Sequence, residues 1–219
     1  MCFGGVNETM SLSDSLINKR RSIRKYKADM PPDEWINRML QSALMAPSPS
    51  NSQPVRFIRI SSSRAREDLR SAMVKGYQRF LKAAKTCDNS KRLKNRINTY
   101  WRFSEFMFDA PVLFAVGTVA HAGSFSKKLF EAKIVAEDTR GEIDINITVG
   151  LALKGFLLKG EEFGLGTCIL SAPLVFASNT EKIFKLKDIK IKCFVVAGFP
   201  DETPLPIERK KVSEIYSEI

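Results

Sequence analysis

Apolar residues recur at helical spacing in the first quarter of the chain. Residues 29–48, DMPPDEWINRMLQSALMAPS, begin with a proline pair suited to a helix start. The apolar side chains that follow share one face of a 3.6-residue period: Trp35, Ile36, Met39, Leu40, Ala43 and Leu44. Pro47 ends this predicted helix. A shorter helix is predicted before it, capped by Ser11 or Ser13 and running through Leu16 and Ile17.

Four later segments have strand character. VRFIRI alternates, and the other three are short or continuously apolar: APVLFAVGTV, TCIL and IKCFVVAGFP. Helices are predicted between them over residues 64–84, over 141–166, and after a Ser178 cap. The 141–166 stretch alternates at first like a strand, but its length favours a buried helix with Gly164 near its end. Interleaved helices and strands predict a layered α+β domain.

The composition fits one domain over residues 1–219, with variable surface segments at about 85–102 and 120–142. A formal net charge of +11 makes anionic partners plausible. The four cysteines are scattered without a CxxC pair, so neither a disulfide framework nor a metal site is predicted. No leader and no apolar run of about 18 residues is evident, so we expect a cytoplasmic protein without membrane association.

Three short motifs suggest ligand chemistry. KRRSIRKYK, residues 19–27, carries six cations just after the first predicted helix. A helix C-terminus repels phosphate, so a phosphate site there requires side chains, and Arg20 with Ser22 offers a guanidinium and a hydroxyl. PSPSNSQP offers Asn and Gln amides, and GLGTC lets a ligand approach the backbone. Each motif alone is also explained by structure: a solvated helix end, an ordinary connection and a helix C-cap.

Taken in order, these motifs resemble the FMN-dependent nitroreductases, which include NAD(P)H nitroreductases and flavin reductases. The resemblance rests on RRSIRKYK, APSPSNSQPVRFIRI, EEFGLGTCIL and VVAGFPDETPLPIERKKVSEI. It extends over nearly the whole chain apart from the two variable segments. It implies an α+β fold with a central mixed or antiparallel sheet flanked by helices. It also implies an intertwined homodimer with FMN at the subunit interface.

The resemblance assigns cofactor roles by position. It places Arg20, Arg21 and Ser22 at the FMN phosphate and ribityl chain, and Arg24 at the pyrimidine edge, where a cation stabilises reduced flavin. The remaining implied contacts are the loop residues Pro47, Ser48, Pro49 and Asn51, acting from the partner subunit, with Gln53 of the same loop, then Leu165 and Gly166 near the flavin N5, and Arg209 and Lys210 at the phosphate. No side chain is expected to be catalytic, because FMN carries the chemistry.

The implied activity is a ping-pong transfer of electrons from NADH or NADPH, through flavin N5, to a nitro compound, a quinone or a similar small acceptor. One alternative is a protein of the same fold with a sensor role or with unusual chemistry such as dehalogenation. Another is nucleic-acid binding by the cations of residues 75–102, with Tyr77, Tyr100 and Trp101 interleaved. No nucleic-acid motif supports this last hypothesis, so no nucleic-acid partner is expected.

Overall fold

Helices and strands alternate along the chain, as the sequence predicts. The structure is a computed structural model that describes residues 11–119, 125–137 and 140–219. Its elements are α1 Leu12–Lys19, α2 Asp33–Leu44, β1 Val55–Arg59, α3 Ser63–Ala83, α4 Ser90–Glu105, β2 Val112–Val119, α5 Phe125–Glu131, α6 Gly141–Glu162, β3 Gly166–Leu170, α7 Pro173–Phe176, α8 Thr180–Ile183 and β4 Ile189–Gly198. The predicted α+β class is confirmed. No described helix is long and apolar enough to cross a bilayer.

The strands form one sheet in the order β1-β2-β4-β3, and every neighbouring pair is antiparallel. The basic motif lies along the outer edge of β3, where Ser22 bridges Thr167 in parallel orientation. Tyr26 makes a second bridge, to Pro200 just after β4. The predicted sheet with helices on its faces is therefore confirmed, and its β3 edge carries the basic motif.

An apolar cluster covers each face of the sheet. Along β4 the side chains alternate, so Val195 packs with α2 and α6 on one face while Phe194 packs with α3 and α7 on the other. Helices α2 and α6 approach closely because residue 155 is a glycine. A Cβ there would lie 2.6 Å from the Ser42 carbonyl oxygen. This close approach packs α6 tightly against α2.

The structure settles three local details that the sequence left open or predicted otherwise. Of the two candidate caps for α1, Ser11 is the one used, and its hydroxyl accepts the Asp14 amide N–H at 3.2 Å. Ser178 does not cap α8. Asn179 begins that helix in the left-handed region, with φ 64°, and makes no side-chain cap. The segment from 85 to 102 contains most of α4, and parts of the 120–142 segment lie outside the described residues.

Candidate functional site

The basic motif is fixed against β3 by one apolar side chain and one backbone bond. Ile23 is buried, and its amide N–H donates to the Thr167 carbonyl oxygen at 3.0 Å. Gly166 leaves the space that this packing needs, since a Cβ there would lie 2.6 Å from the Ile23 side chain. The cations on either side of Ile23 are thereby held at the sheet edge.

Ser22 and Arg24 share one face of this extended segment, because side chains alternate along it. The Ser22 hydroxyl contacts the Cys168 thiol, and the Arg24 guanidinium lies 5.4 Å from the centroid of the Phe103 ring. Burial raises the pKa of Cys168, while Arg24, the Ser22 hydrogen bond and Arg20 act in the opposite direction. The structure thus brings Arg20, Ser22 and Arg24 together near the Cys168 thiol.

Among the described residues, the two guanidinium groups of this cluster have no close carboxylate, although burial raises the pKa of Glu161 and the charge of Arg20 opposes that rise. Within the described ranges, neither Arg20 nor Arg24 forms an ion pair. The Arg24 Nη1 makes only a long bond, 3.4 Å, to the Ser22 carbonyl oxygen. A hydroxyl between two such cations is a donor set suited to a phosphate dianion. The residues present therefore fit the phosphate end of FMN.

The Arg21 side chain binds the C-terminal end of α1. Its Nη1 donates to the carbonyl oxygens of Asn18, Lys19 and Arg20, at 2.6, 3.2 and 2.9 Å. These are acceptors at the C-terminus of α1, where a cation stabilises the helix. Arg21 lines a groove of about 380 Å³ that also contains Glu161. The Arg21 guanidinium is therefore engaged at the end of α1, and the groove that it lines also contains the predicted residues Leu165 and Gly166.

The C-terminal tail begins beside the basic motif. Lys27 donates its amide N–H to the Phe199 carbonyl, and Asp201 donates to the Lys25 carbonyl, at 2.9 and 3.0 Å. The Glu202 carboxylate then accepts the amide N–H groups of Arg24 and Lys25. Glu202 stands 178 residues from Arg24, and the sequence gives no signal for this contact.

Arg209 and Lys210 lie farther along the same tail and are exposed. No ion pair or hydrogen bond between described residues joins either of them to the basic motif. The route of the tail starts next to the cluster, but within one chain these two cations are not gathered into it.

The loop between α2 and β1 holds its own shape. Ser50, Asn51 and Gln53 have positive φ, at 51°, 51° and 45°. The Gln53 amide N–H donates to the Ser48 Oγ at 3.0 Å, and its side-chain Nε2 donates to the Asn51 Oδ1 at 3.1 Å. Pro49 opens a short 3₁₀ turn here. These bonds and the two prolines, Pro47 and Pro49, fix the loop, and Arg56 on β1 adds a bond to the Gln53 carbonyl oxygen at 2.9 Å.

This loop precedes β1, at the edge of the sheet opposite β3. Three strand spacings separate the two edges, or about 14 Å. The structure therefore does not bring Ser48 and Asn51 to Arg20 and Ser22 within one chain.

Leu165 and Gly166 have structural partners of their own. Leu165 is buried, and its amide N–H donates to the Gly160 carbonyl oxygen at 2.8 Å. Gly166 pairs with Gly198 in the sheet and packs on Ile23. Cys168, the last residue of the GLGTC motif, lies on β3 beside Ser22, and no sequence pattern indicated a role for it.

The aromatic residues of the basic span are mostly packed inside. Tyr77 stacks on Trp101 with ring centroids 4.6 Å apart, and Trp101 meets Phe176 edge-on at 5.6 Å. Only Tyr100 of the three predicted base-stacking residues is exposed. The stacking platform that single-stranded nucleic acid requires is therefore not formed by these rings.

The chain matches the model of the nitroreductase family over residues 17–199, and it belongs to that family. A Bacillus subtilis protein that carries the name NAD(P)H nitroreductase YfhC is 25% identical over 95% of both chains. Iodotyrosine deiodinase from Thermotoga neapolitana is 26% identical over 95% of this chain and 99% of its own.

Solved structures show the same likeness. A BluB-like flavoprotein from Clostridium difficile superimposes with a TM-score of 0.82, at 26% identity, over 96% of this chain and 99% of that one. Other structures, 20% and 19% identical, include complexes with FMN and with NADPH and show the fold alone. The predicted family is thus confirmed, while its members here differ in the reaction that their names state.

Proposed function

We propose that this protein is an FMN-dependent oxidoreductase that passes electrons from NADH or NADPH to a nitro compound, a quinone or a similar acceptor. The observation that carries the proposal is the cluster of Arg20, Ser22 and Arg24 on the β3 edge in a member of the nitroreductase family. Two unpaired guanidinium groups and a hydroxyl form an anion site. When bound there, FMN would supply hydride acceptance and release at its N5.

The side chains of the cluster bind different parts of FMN. Arg20 and Ser22 hold the phosphate, with Arg209 and Lys210 joining them when the tail folds over the site. Arg24, held in place by Phe103 and by its amide contact to Glu202, keeps a positive charge at the end of the cofactor site nearest α4. A fixed cation there favours the reduced, more anionic state of a flavin.

We further propose that the site is completed by a second copy of the chain. Ile143, Ile147 and Leu151 form a stripe along α6 at helical spacing, and their side chains are 44% to 54% exposed. The tail exposes six more large apolar side chains: Leu205, Ile207, Val212, Ile215, Tyr216 and Ile219. Apolar surface of this extent marks an interface.

In a dimer, the loop of Ser48 and Asn51 would act on the partner's cofactor, since it lies at the far edge of its own sheet. Its rigid shape suits that role, because little conformational entropy is lost when it inserts. The homodimer therefore explains both the exposed apolar stripe and the separation of the predicted contacts.

Steady-state kinetics test the activity. The protein is supplied with FMN, and NADH or NADPH is varied at several fixed concentrations of menadione or 4-nitrobenzyl alcohol. Parallel double-reciprocal lines are expected, since donor and acceptor use one site in turn. Intersecting lines, or no oxidation of either nicotinamide, would contradict the proposal.

A second candidate function is reductive dehalogenation, favoured by the near full-length match to a deiodinase. It is separated from the first by incubating the holoprotein with dithionite and 3-iodo-tyrosine. Release of iodide with little reduction of nitro compounds or quinones would favour this second function.

A further inference from the structure

We propose that the cleft between α3, α4 and α7 binds the electron acceptor, and that Arg96 selects planar aromatic acceptors carrying an anionic group. This inference rests on the proposed function. The cleft has a volume of about 500 Å³. That is within the usual range for small-molecule sites. Its lining residues are Phe80, Leu93, Arg96, Ile97, Tyr100, Ser171, Ala172, Val175 and Phe176.

The walls of the cleft are apolar yet open to solvent. Val175 is 62% exposed and Tyr100 is 57% exposed, while Leu93 stands beside them on α4. A ligand that covers large apolar side chains at a concave surface removes apolar area from water, which favours binding. Tyr100, which is mostly exposed, adds an aromatic ring to this lining, and a flat aromatic ligand can stack on such a ring.

Arg96 is the one charged residue in this lining. Among the residues that the structure describes, it has no ion-pair partner and no side-chain hydrogen bond. Arg96 and Tyr100 also line a neighbouring groove around the start of α4, with Lys91, Arg92 and a single acid, Asp88. The complement of an apolar cleft with an unpaired guanidinium at its rim is an aromatic ring bearing a carboxylate or sulfonate.

Two elements connect the cleft with the proposed cofactor site, α4 and the end of β3. Tyr100 precedes Phe103 by three residues on α4, or about 4.5 Å along the helix axis. The Phe103 ring is the one that contacts Arg24. Ser171 directly follows β3, which also carries Cys168 beside Ser22. On these two elements, the proposed acceptor cleft is about one helical turn from the Phe103 ring on α4 and begins where β3 ends.

NAD(P)H, the proposed donor, supplies both electrons that the acceptor takes up. For a nitro acceptor, R–NO2, NAD(P)H and one proton give R–NO, NAD(P)+ and water, so nitrogen gains two electrons and loses one oxygen. Arg96 takes no part in these bond changes. Its guanidinium binds the anionic substituent in the ground state and the transition state alike, so it acts on KM more than on kcat.

The test compares 4-nitrobenzoate with 4-nitrobenzyl alcohol, an acceptor of similar size without the charge. The proteins are wild type, Arg96→Gln, Arg96→Lys and the control Lys94→Gln, which removes one cation from the same helix outside the cleft. We expect the preference for 4-nitrobenzoate, as a ratio of kcat/KM values, to fall about 10- to 100-fold in Arg96→Gln. Arg96→Lys keeps part of the preference, and Lys94→Gln keeps all of it.

A binding measurement makes the inference independent of turnover. Titration calorimetry with 4-nitrobenzoate on the oxidised holoprotein is expected to show binding that is lost in Arg96→Gln alone. An equal loss of 4-nitrobenzoate binding in Lys94→Gln would mean that only the overall positive charge of α4 matters. That result would overturn the selective role of Arg96. Absence of any preference in the wild type would overturn the inference as well. Failure to oxidise either nicotinamide with both acceptors, while specific binding persists, would count against the proposed function only.

Discussion

Two adjacent arginines follow α1 and have different surroundings. Arg21 donates to three carbonyl oxygens at the helix end, whereas Arg20 stands with Ser22 and Arg24 near Cys168. The sequence treats the two residues alike, because neighbouring cations in one motif carry no signal of which way each side chain turns. The burial of Ile23 fixes which side chains of the extended segment face inward. Because side chains alternate along this segment, Arg20 lies on the same side as Ser22 and Arg24, and Arg21 lies on the other.

The first prediction tests this difference by titrating FMN into apoprotein. Arg20→Ala is expected to weaken FMN binding about 10- to 100-fold, since a charge-assisted bond to phosphate contributes about 1.5–3 kcal/mol. Arg21→Ala is expected to weaken it less and to lower the free energy of unfolding through α1. Lys25→Ala is the control for net charge. An equal effect of Arg20→Ala and Lys25→Ala would contradict a specific site at Arg20.

Gly166 provides a second prediction at the residue scale. In Gly166→Ala the new methyl group would lie within 3 Å of the Ile23 side chain, so the basic segment must shift. A loss of about 1–3 kcal/mol in the free energy of unfolding is expected, together with weaker FMN binding. Gly150→Ala is the control, because Gly150 has open space around its Cβ position. Gly164→Ala would not serve, because Gly164 has φ 70° and any side chain there is strained. Urea unfolding in which Gly166→Ala matched wild type would refute the close packing.

Helix α6 shows how far the sequence predicts an element. Its length and apolar character predicted a buried helix, and the structure confirms it as Gly141–Glu162. The sequence could not show why apolar residues surround the whole helix. One face packs on α2 and the sheet, while Ile143, Ile147 and Leu151 remain exposed. Likewise the sequence predicts a loop with ligand-binding amides at Ser48, but its distance from Arg20 depends on strand order, which local patterns do not encode.

The exposed stripe on α6 gives the third prediction. Ile147→Asp would put a charge in the centre of the proposed interface, where it has no partner, so the dimer is expected to dissociate. Leu93→Asp, on α4 across the sheet, is the matched control and should leave the dimer intact. Sedimentation velocity measures the outcome for both variants. A wild-type protein that sediments as a monomer would remove the basis for a shared site.

The start of α6 gives a prediction for acid pH. Glu142 accepts bonds from Lys192 and Lys190 on β4, at 2.9 and 3.0 Å, and these bonds lower its pKa from 4.5 to about 2. Because the pKa is depressed in the folded state, the stabilisation is present above about pH 4.5 and is lost as the pH falls toward 2. Glu142→Gln should therefore be less stable than wild type at pH 6 and similar to it near pH 2. A difference that did not shrink on acidification would contradict the role of these bonds.

At the scale of the whole molecule, charge and apolar surface are distributed unevenly. Residues 75–102 hold nine cations and one acid, and no described ion pair includes any of them. The apolar stripe and the exposed tail lie elsewhere, on α6 and after β4. One surface is thus suited to small anions and the other to a second subunit, and the β3 edge with its basic motif forms the proposed cofactor site.

The central claim is that this chain binds FMN at the Arg20 cluster and that a nicotinamide reduces it. The most direct measurement is an anaerobic visible absorption spectrum of the FMN-loaded protein, before and after NADH and then NADPH, with Arg20→Ala beside it. We predict a protein-bound flavin band that bleaches with at least one donor and that is retained poorly by Arg20→Ala on gel filtration. A wild-type protein that leaves the column colourless after incubation with FMN would contradict the claim.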